Sequence, residues 1–520
     1  MTINDVQSLL GLLREKSIRV GVENGRLKVS CSPGAVTLEI RDAIAGFRDE
    51  LIAYFSGTGK RDGIPVTRSS SVQLSISQQD LWHRNARGVQ GHAFNVPRAI
   101  RLVGPLNVGR LSQSIIAVVR RHAVLRTNVI LENDIPVPLV RDPVAFEMQV
   151  VDLAAARDPE FEACEWIKTE SSRGFDLADE CLFRAALLRF SDTDSILHVT
   201  AHHLVADCWS LGFAYQSVNE PQDLWHPGLF FSDLFQQYDQ GRILFRPEEE
   251  SLQFSDFANW ESQMLQSGAW SEQRRFWKGR WERSVEKPLF PGREARNDYR
   301  GRRVPFLIPQ RLSDAIRTAS AELVTSAHAL MLTAFQIALR TWKNCAEIPI
   351  GLPVANRRKP EFQTLIGNMG NNILVRSLLP PELTFLDAAR IVQRDVIESC
   401  DNQEYPIEEL LKAFNPDRSL IEVRFIMQTP SASRTMSDGL EVRPIPLCRG
   451  IAKYPLSLVV VDQPGRFRGW GEFLDDCLDE SMFIRFVEAF LEALEVGIRQ
   501  PARAIGDFPE SKIRLDNVSP

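Results

Sequence analysis

The chain has 520 residues, 44% of them hydrophobic, which is too long for one ordinary core and predicts about two to four folding units. Its formal net charge of −6 gives no global positive field to draw in a phosphate backbone, so no nucleic-acid partner is expected. Eight cysteines (Cys31, Cys164, Cys181, Cys208, Cys345, Cys400, Cys448, Cys477) form no C-x-x-C pair, which fits neither a zinc site nor a disulfide framework; no metal is expected.

The N-terminus lacks the basic region and apolar run of a signal peptide, and nowhere do about 18 uncharged apolar residues run together. A cytoplasmic protein without a membrane partner is the expectation. Val6, Leu9, Leu10 and Leu13 fall at helical spacing, and that helix should stop before Ile18. Ile18, Val20 and Val22 then alternate with polar or small residues, Asn24-Gly25 intervenes, and Leu27, Val29 and Cys31 alternate again. Asn-Gly is the preferred type I′ turn pair, so the segment reads as a β-hairpin. Ile40, Ile44, Phe47, Leu51 and Phe55 recur at helical spacing, completing a helix, hairpin, helix order in residues 1–55. An open hairpin edge can take up an extended peptide as an extra strand. An appendage packed on the main body is the other reading.

Residues 56–70, rich in Gly, Ser and Pro, read as a linker. Beyond about residue 72, strands and helices alternate to about residue 510, which predicts α/β layers.

Within that body, Ile196 to His203 has strand character, and a helix is expected to begin near Ser210. On a strand, His202 and His203 point to opposite faces, so one can sit in the core while the other faces a cleft. A neutral imidazole in a cleft can accept a proton or orient an amine near physiological pH. A buried Asp207 needs a cation or several donors, and more readily shapes the loop than transfers protons. Taken alone, the short His-His-Asp segment reads more readily as a purely structural pair than as a catalytic one. Diverging adjacent histidines make a poor metal site, and no G-x-S-x-G elbow supports a covalent serine mechanism.

The segment His202-His203-Leu-Val-Ala-Asp207-Cys-Trp-Ser210 resembles the HHxxxDG signature of condensation domains of nonribosomal peptide synthetases, members of the chloramphenicol-acetyltransferase-like superfamily. Further family-like segments follow the family's order. They are Leu74-Ser-Ile-Ser-Gln-Gln-Asp-Leu-Trp82, Phe94-Asn-Val-Pro97, Arg121-His-Ala-Val-Leu-Arg-Thr127 and Gly174-Phe-Asp-Leu177 upstream of the histidines, then Phe254-Ser-Asp-Phe-Ala258, Gly351-Leu-Pro-Val-Ala-Asn-Arg357, Ile366-Gly367 through Asn371 to Arg376, and Tyr405-Pro406. The order of elements in residues 1–55 resembles the N-terminal docking domain of tubulysin-type assembly lines, in which the tail of an upstream synthetase binds along the hairpin (Ile18, Val20, Val22, Leu27, Val29 here).

The resemblance implies a two-lobed, V-shaped chloramphenicol-acetyltransferase-like α/β pseudo-dimer with a small α-β-β-α docking module. Its divisions would be 1–55 docking domain, 56–70 linker, 71–245 N-lobe, 246–511 C-lobe and 512–520 tail. It implies that His203 aligns or deprotonates the acceptor amine in a tunnel between the lobes, that His202 is a packed structural residue, and that Asp207 is a structural acid paired with Arg121 or, alternatively, Arg126. Trp209 would pack the lobe, Ser210 would cap the following helix or bond the tetrahedral intermediate, and Asn371 would lie near the tunnel or serve as a turn residue. The partners implied are donor and acceptor carrier domains bearing phosphopantetheine arms, with acyl-CoA as a further candidate donor and no cofactor bound by the chain itself.

Departures from the family pattern are Cys208 where glycine is usual, Ala123 for a usual glutamate, Asn368-Met-Gly370 for an aromatic stretch, Pro455 in Ala452-Lys-Tyr-Pro-Leu456 where aspartate is expected, and a longer segment between Gly212 and Phe231. Retained histidines argue against the cyclization relatives, and the preceding docking-like module argues against epimerization. An amide-forming condensation domain is the expected function. A starter domain acylating the first amino acid and a noncatalytic recruiting domain are the alternatives.

Overall fold

The computed structural model describes residues 19–23, 26–30, 38–48, 51, 73–86, 91–142, 146–214, 225–240, 252–281, 289–290, 299–343, 347–414, 421–428, 434–435, 439–447, 450–463 and 465–508. They fall into two units, one drawn from Met1–Pro65 and Thr318–Ser326, the other from Val66–Arg317 and Ala327–Pro520.

In the first unit, β1 (Arg19–Glu23) and β2 (Arg26–Ser30) pair antiparallel with Val20 opposite Val29, Val22 opposite Leu27 and Glu23 opposite Arg26. The pairing is the hairpin that the Asn24-Gly25 chemistry predicts, although residues 24 and 25 themselves lie outside the described residues. The helix Leu38–Gly46 follows, and its hydrogen bonding continues through Phe47 N–H to Ala43 and Leu51 N–H to Phe47. Ile40 and Leu51 are buried. The expected first helix, Ile18 and the linker lie outside the described residues.

The second unit runs in chain order through the helix Ile76–Ala86, β3 (Asn95–Val103), the helix Val108–Arg121, the hairpin of β4 (Thr127–Glu132) and β5 (Ile135–Val140), β6 (Gln149–Asp152), the helix Pro159–Ser172, β7 (Phe183–Arg189) and β8 (Asp194–His202). After the helical turn Cys208–Leu211 come β9 (Phe213–Ala214), β10 (Trp225–His226), the helices Gly228–Gln240, Phe254–Gln266 and Ser271–Trp281, and β11 (Gly301–Leu307). The helix Ala327–Lys343, β12 (Ile350–Val354), β13 (Asn371–Val375), the helices Phe385–Asp401 and Ile407–Phe414, β14 (Val423–Gln428), β15 (Arg434–Thr435), β16 (Glu441–Ile445), β17 (Leu456–Gln463), β18 (Arg466–Leu474) and the helix Glu480–Arg499 complete it.

Two six-stranded sheets organise this unit, with orders β15-β16-β3-β8-β7-β6 and β11-β18-β17-β14-β12-β13. The first is antiparallel except at β6-β7, and the second mixes parallel pairs β12-β14 and β14-β17 with antiparallel ones. This is the two-lobed α/β arrangement expected. The sheets do not divide cleanly at residue 245: β16 pairs with β3, so a segment of the later half extends the first sheet.

Local physics explains the elements that matter here. Asn107 caps the helix Val108–Arg121 by accepting from Arg110 N–H at 2.9 Å, and Leu111, Ile115 and Val118 turn its apolar stripe inward. The helix Ala327–Lys343 is largely apolar, and Ala329 through Leu339 are all buried. Among the described residues no single helix is long and apolar enough to cross a membrane, and one bent pair passes the same test only by length and composition. In β8, every residue from Ser195 to His202 is buried, because the strand lies between β3 and β7 with both faces covered.

Candidate functional site

β8 ends on His202, which pairs with Asn95 of β3, and His203 begins the loop that follows. The two histidines therefore do not alternate along one strand. They part company because the strand stops between them. His202 is fully buried, accepts a hydrogen bond from Leu204 N–H at Nδ1 (3.2 Å), and meets the rings of Phe94 and Phe175 edge-on. His203 is half-buried, and its backbone N–H donates to the Phe94 carbonyl at 2.7 Å.

Burial, followed by the nearby Lys453 charge, pushes both imidazoles down to about 3, with the Asp207 carboxylate opposing the shift at His203. Both rings are therefore neutral near pH 7, and His203 Nδ1 is a buried atom without a protein hydrogen-bond partner among the described residues. A neutral, half-open imidazole can align an amine by hydrogen bonding, whereas a pKa held near 3 makes it a weak proton acceptor.

Asp207 fixes the loop beyond. Its Oδ1 accepts from Ser210 N–H (2.8 Å) and the Ser210 hydroxyl (2.7 Å), and its Oδ2 accepts from Arg357 Nη1 (2.8 Å) and the N–H groups of Met369 and Gly370 (3.2 Å each). Burial alone would raise this carboxyl. The Arg357 charge and hydrogen bond, joined by the two Ser210 donors, outweigh burial and hold it below the ordinary carboxylate range.

The expected partners of Asp207 are thus corrected. Arg121 lies on a different acid, its Nε 3.7 Å from Asp233, and Arg126 donates to the Arg141 carbonyl at 2.8 Å. Both belong to the helix and turn of residues 108–126 that precede β4, whereas Arg357 stands on the bend after β12, where Asn356 adopts a positive φ of 53° and the chain reverses toward the Asp207 loop. Arg357 was visible in sequence only as the last residue of a family-like segment.

The helical turn starts at Cys208, and its cap is Asp207. Ser210 sits inside the turn; its single hydroxyl proton can go to Asp207 Oδ1 (2.7 Å) or to the Gly367 carbonyl (3.0 Å), and its oxygen accepts from Gly367 N–H (3.0 Å). The capping role assigned to Ser210 therefore belongs to Asp207, whose carboxylate stands one residue before the turn and accepts from Ser210 N–H. Cys208 is exposed, with Arg98 Nη2 donating to its Sγ at 3.7 Å, and Trp209 lies 5.8 Å from the Arg357 guanidinium.

Asn371 is the first residue of β13 and not a turn residue. Its Nδ2 donates to the carbonyls of Gln403 and Tyr405 (2.8 Å each), and its Oδ1 accepts from Asn372 and Ile407 N–H, which ties β13 to the segment before the helix Ile407–Phe414.

Buttresses unassigned from sequence complete the loop. Gln78 Nε2 donates to the Leu204 carbonyl (3.0 Å), and the Ser77 hydroxyl donates to the Asn368 carbonyl (3.1 Å). A Cβ on Gly367 would overlap the Phe254 ring, so the glycine there is required for close approach as well as for its φ of 151°. Of the longer segment after Gly212, only β9, β10 and residues from 225 onward are described; β9 and β10 pair antiparallel. An open depression lined by Leu106, Asn107, Thr193 and Tyr238 lies at the far end of β8 from the histidines.

The Condensation domain family model matches residues 69–509, and the model of the TubC N-terminal docking domain matches residues 6–56. Malpinin synthetase of Mortierella alpina is 26% identical over 452 residues, covering 85% of this chain and 6% of that protein. Chondramide synthase of Chondromyces crocatus is 25% identical over 457 residues, covering 85% of this chain and 11% of that protein. Phosphinothricin tripeptide synthetase PhsC of Streptomyces viridochromogenes is 28% identical over 413 residues, covering 77% and 37% respectively. The chain thus spans only a small part of these relatives. Among solved structures, the X-domain from teicoplanin biosynthesis superposes with a TM-score of 0.73 at 20% identity over 86% of this chain and 99% of that one. The first condensation domain of the calcium-dependent antibiotic synthetase, in complex with a substrate analogue, gives 0.66 at 16% identity over 85% and 99%.

Proposed function

This chain belongs to the condensation-domain family, and we propose that it is an amide-forming acyltransferase that joins a carrier-bound aminoacyl amine to a donor acyl or peptidyl thioester. The observation that carries this reading is His203, neutral and half-buried, on a loop held by the buried Asp207–Arg357 pair. The acceptor amine attacks the donor carbonyl, its nitrogen forms the C–N bond, and the C–S bond breaks. His203 orients the amine by hydrogen bonding and relays its proton, which ends on the departing thiol. Orientation supplies much of the rate, and neither a covalent enzyme intermediate nor a metal takes part.

The substrates arrive on phosphopantetheine arms of donor and acceptor carrier domains, or as acyl-CoA in the starter version, and the chain contributes no cofactor of its own. An upstream synthetase tail is the proposed ligand of the β1-β2 hairpin, and the cytoplasm, where such carriers work, is the proposed compartment. Product formation from defined donor and acceptor carriers tests the reading. His203→Ala is expected to lower turnover by about 10²–10⁴-fold. Equal product from both proteins overturns the role of His203, and no product from the wild type favours the recruiting reading.

A further inference from the structure

β3 starts at Asn95, opposite His202, the last residue of β8, and the peptide just before it carries the Phe94 carbonyl that accepts His203 N–H at 2.7 Å. Asn95 is fully buried, and its Nδ2 donates to the carbonyls of Ser171 and Arg173 at 2.9 Å each. Those carbonyls belong to the end of the helix Pro159–Ser172 and to its C-cap, where no further turn supplies a partner. One side chain therefore ties the strand that holds His203 to a helix end.

That helix end is a fixed support. Arg184 of β7 donates to the Arg173 carbonyl at 2.7 Å while its guanidinium lies 3.7 Å from the centroid of Phe175, and the Ser171 hydroxyl lies 3.2 Å from His198 Nε2. Farther back, Ala163 and Ile167 pack in one core with Ala99 of β3 and Ile196 of β8. The amide of Asn95 faces one way only, because both of its protons go to carbonyls. A carboxylate in its place would set oxygen against oxygen.

We propose that Asn95 is a positioning residue for the condensation reaction, fixing through its side-chain amide the Phe94–Asn95 peptide that holds His203. The inference rests on the condensation reading. His203 is the first residue beyond β8, so its place follows from its N–H bond to the Phe94 carbonyl. Misplacing an aligning group by about 1 Å can cost about 10²-fold in rate. Removing the amide of Asn95 frees the peptide to rotate, and His203 moves with it.

The test is single-turnover amide formation by the full chain with a donor and an acceptor carrier. In N95A the rate at saturating carriers is expected to fall by about 10–100-fold, with the half-saturating concentrations changed by less than about 2-fold. In a His203→Ala chain the same substitution is expected to cost less than about 2-fold. Equal losses in the two backgrounds overturn the proposal, because the effect then does not run through His203. A wild-type chain that forms no product counts against the condensation reading instead. Backbone hydrogen exchange of the substrate-free chain then decides the role of Asn95: in N95A and N95S the His203 N–H should exchange at least about 10-fold faster, while that of Leu197, in the middle of β8, keeps its wild-type rate. A uniform acceleration, no change at His203, or failure of both variants to fold overturns the proposal in favour of a purely architectural role.

Discussion

Asp207 Oδ2 and Arg357 Nη1 lie 2.8 Å apart, one on the loop after β8 and the other on the bend after β12, with side chains only 7% and 2% exposed. A buried pair of this kind repays its desolvation only when both partners are present. Arg357→Met leaves the carboxylate uncompensated and is expected to cost about 3–5 kcal/mol in denaturant unfolding, with part recovered in the Asp207→Asn/Arg357→Met double variant. The depressed carboxyl contributes stability that is present above its ordinary value and lost as pH falls through the lower folded value. In Arg357→Met burial is left to raise the carboxyl, so this group's loss of stability in acid should shrink or disappear, and unfolding curves across the acid range measure it.

The hydrogen bonds of Ser210 all go to the loop around it, which predicts a structural role. Its hydroxyl is fully buried and engaged by Asp207 and Gly367. Ser210→Ala should lower stability by about 1–3 kcal/mol. Turnover per folded molecule should fall by less than about 10-fold, whereas removal of an oxyanion donor costs about 10²–10³-fold. Paired measurements of unfolding and single-turnover rate separate the two roles.

Glu261 accepts the Ile76 N–H at 2.8 Å in a buried position, and burial raises its carboxyl to about 8 against that hydrogen bond. The folded chain then holds a proton that the unfolded chain releases above about 4.3. Stability contributed by the protonated form is present below that ordinary value and is lost as pH rises toward 8. Glu261→Gln keeps an acceptor for Ile76, and its unfolding free energy should fall less than that of the wild type between pH 5 and 8 on the scale of about 1–3 kcal/mol.

Gly367→Ala places a Cβ against the Phe254 ring at a φ of 151° and should cost roughly 2–3 kcal/mol. Gly174→Ala, where a Cβ meets nothing within 4 Å, should stay within about 0.5 kcal/mol. Thermal unfolding of the two variants side by side checks the difference.

Much of this architecture was legible because it depends on local chemistry. The Asn24-Gly25 pair predicts the β1-β2 hairpin, and the strand character of Ile196–His203 predicts β8. The ordered family-like segments predicted the fold, yet their reasons were hidden until they met: Gln78 and Ser77 hold carbonyls of the histidine and Gly367 loops, and Phe254 fills the space that a side chain at Gly367 would take.

The sequence by itself determined which side chains this protein has for chemistry and that Asp207 must find donors, because a buried carboxylate without them is too costly to persist. Only the tertiary structure decided that the cation is Arg357 and not Arg121 or Arg126, and that Asp207 caps the turn in place of Ser210. Those partners come from different sheets. No spacing along the chain encodes which bend will arrive opposite which loop, since that follows from strand order and the packing of the two sheets.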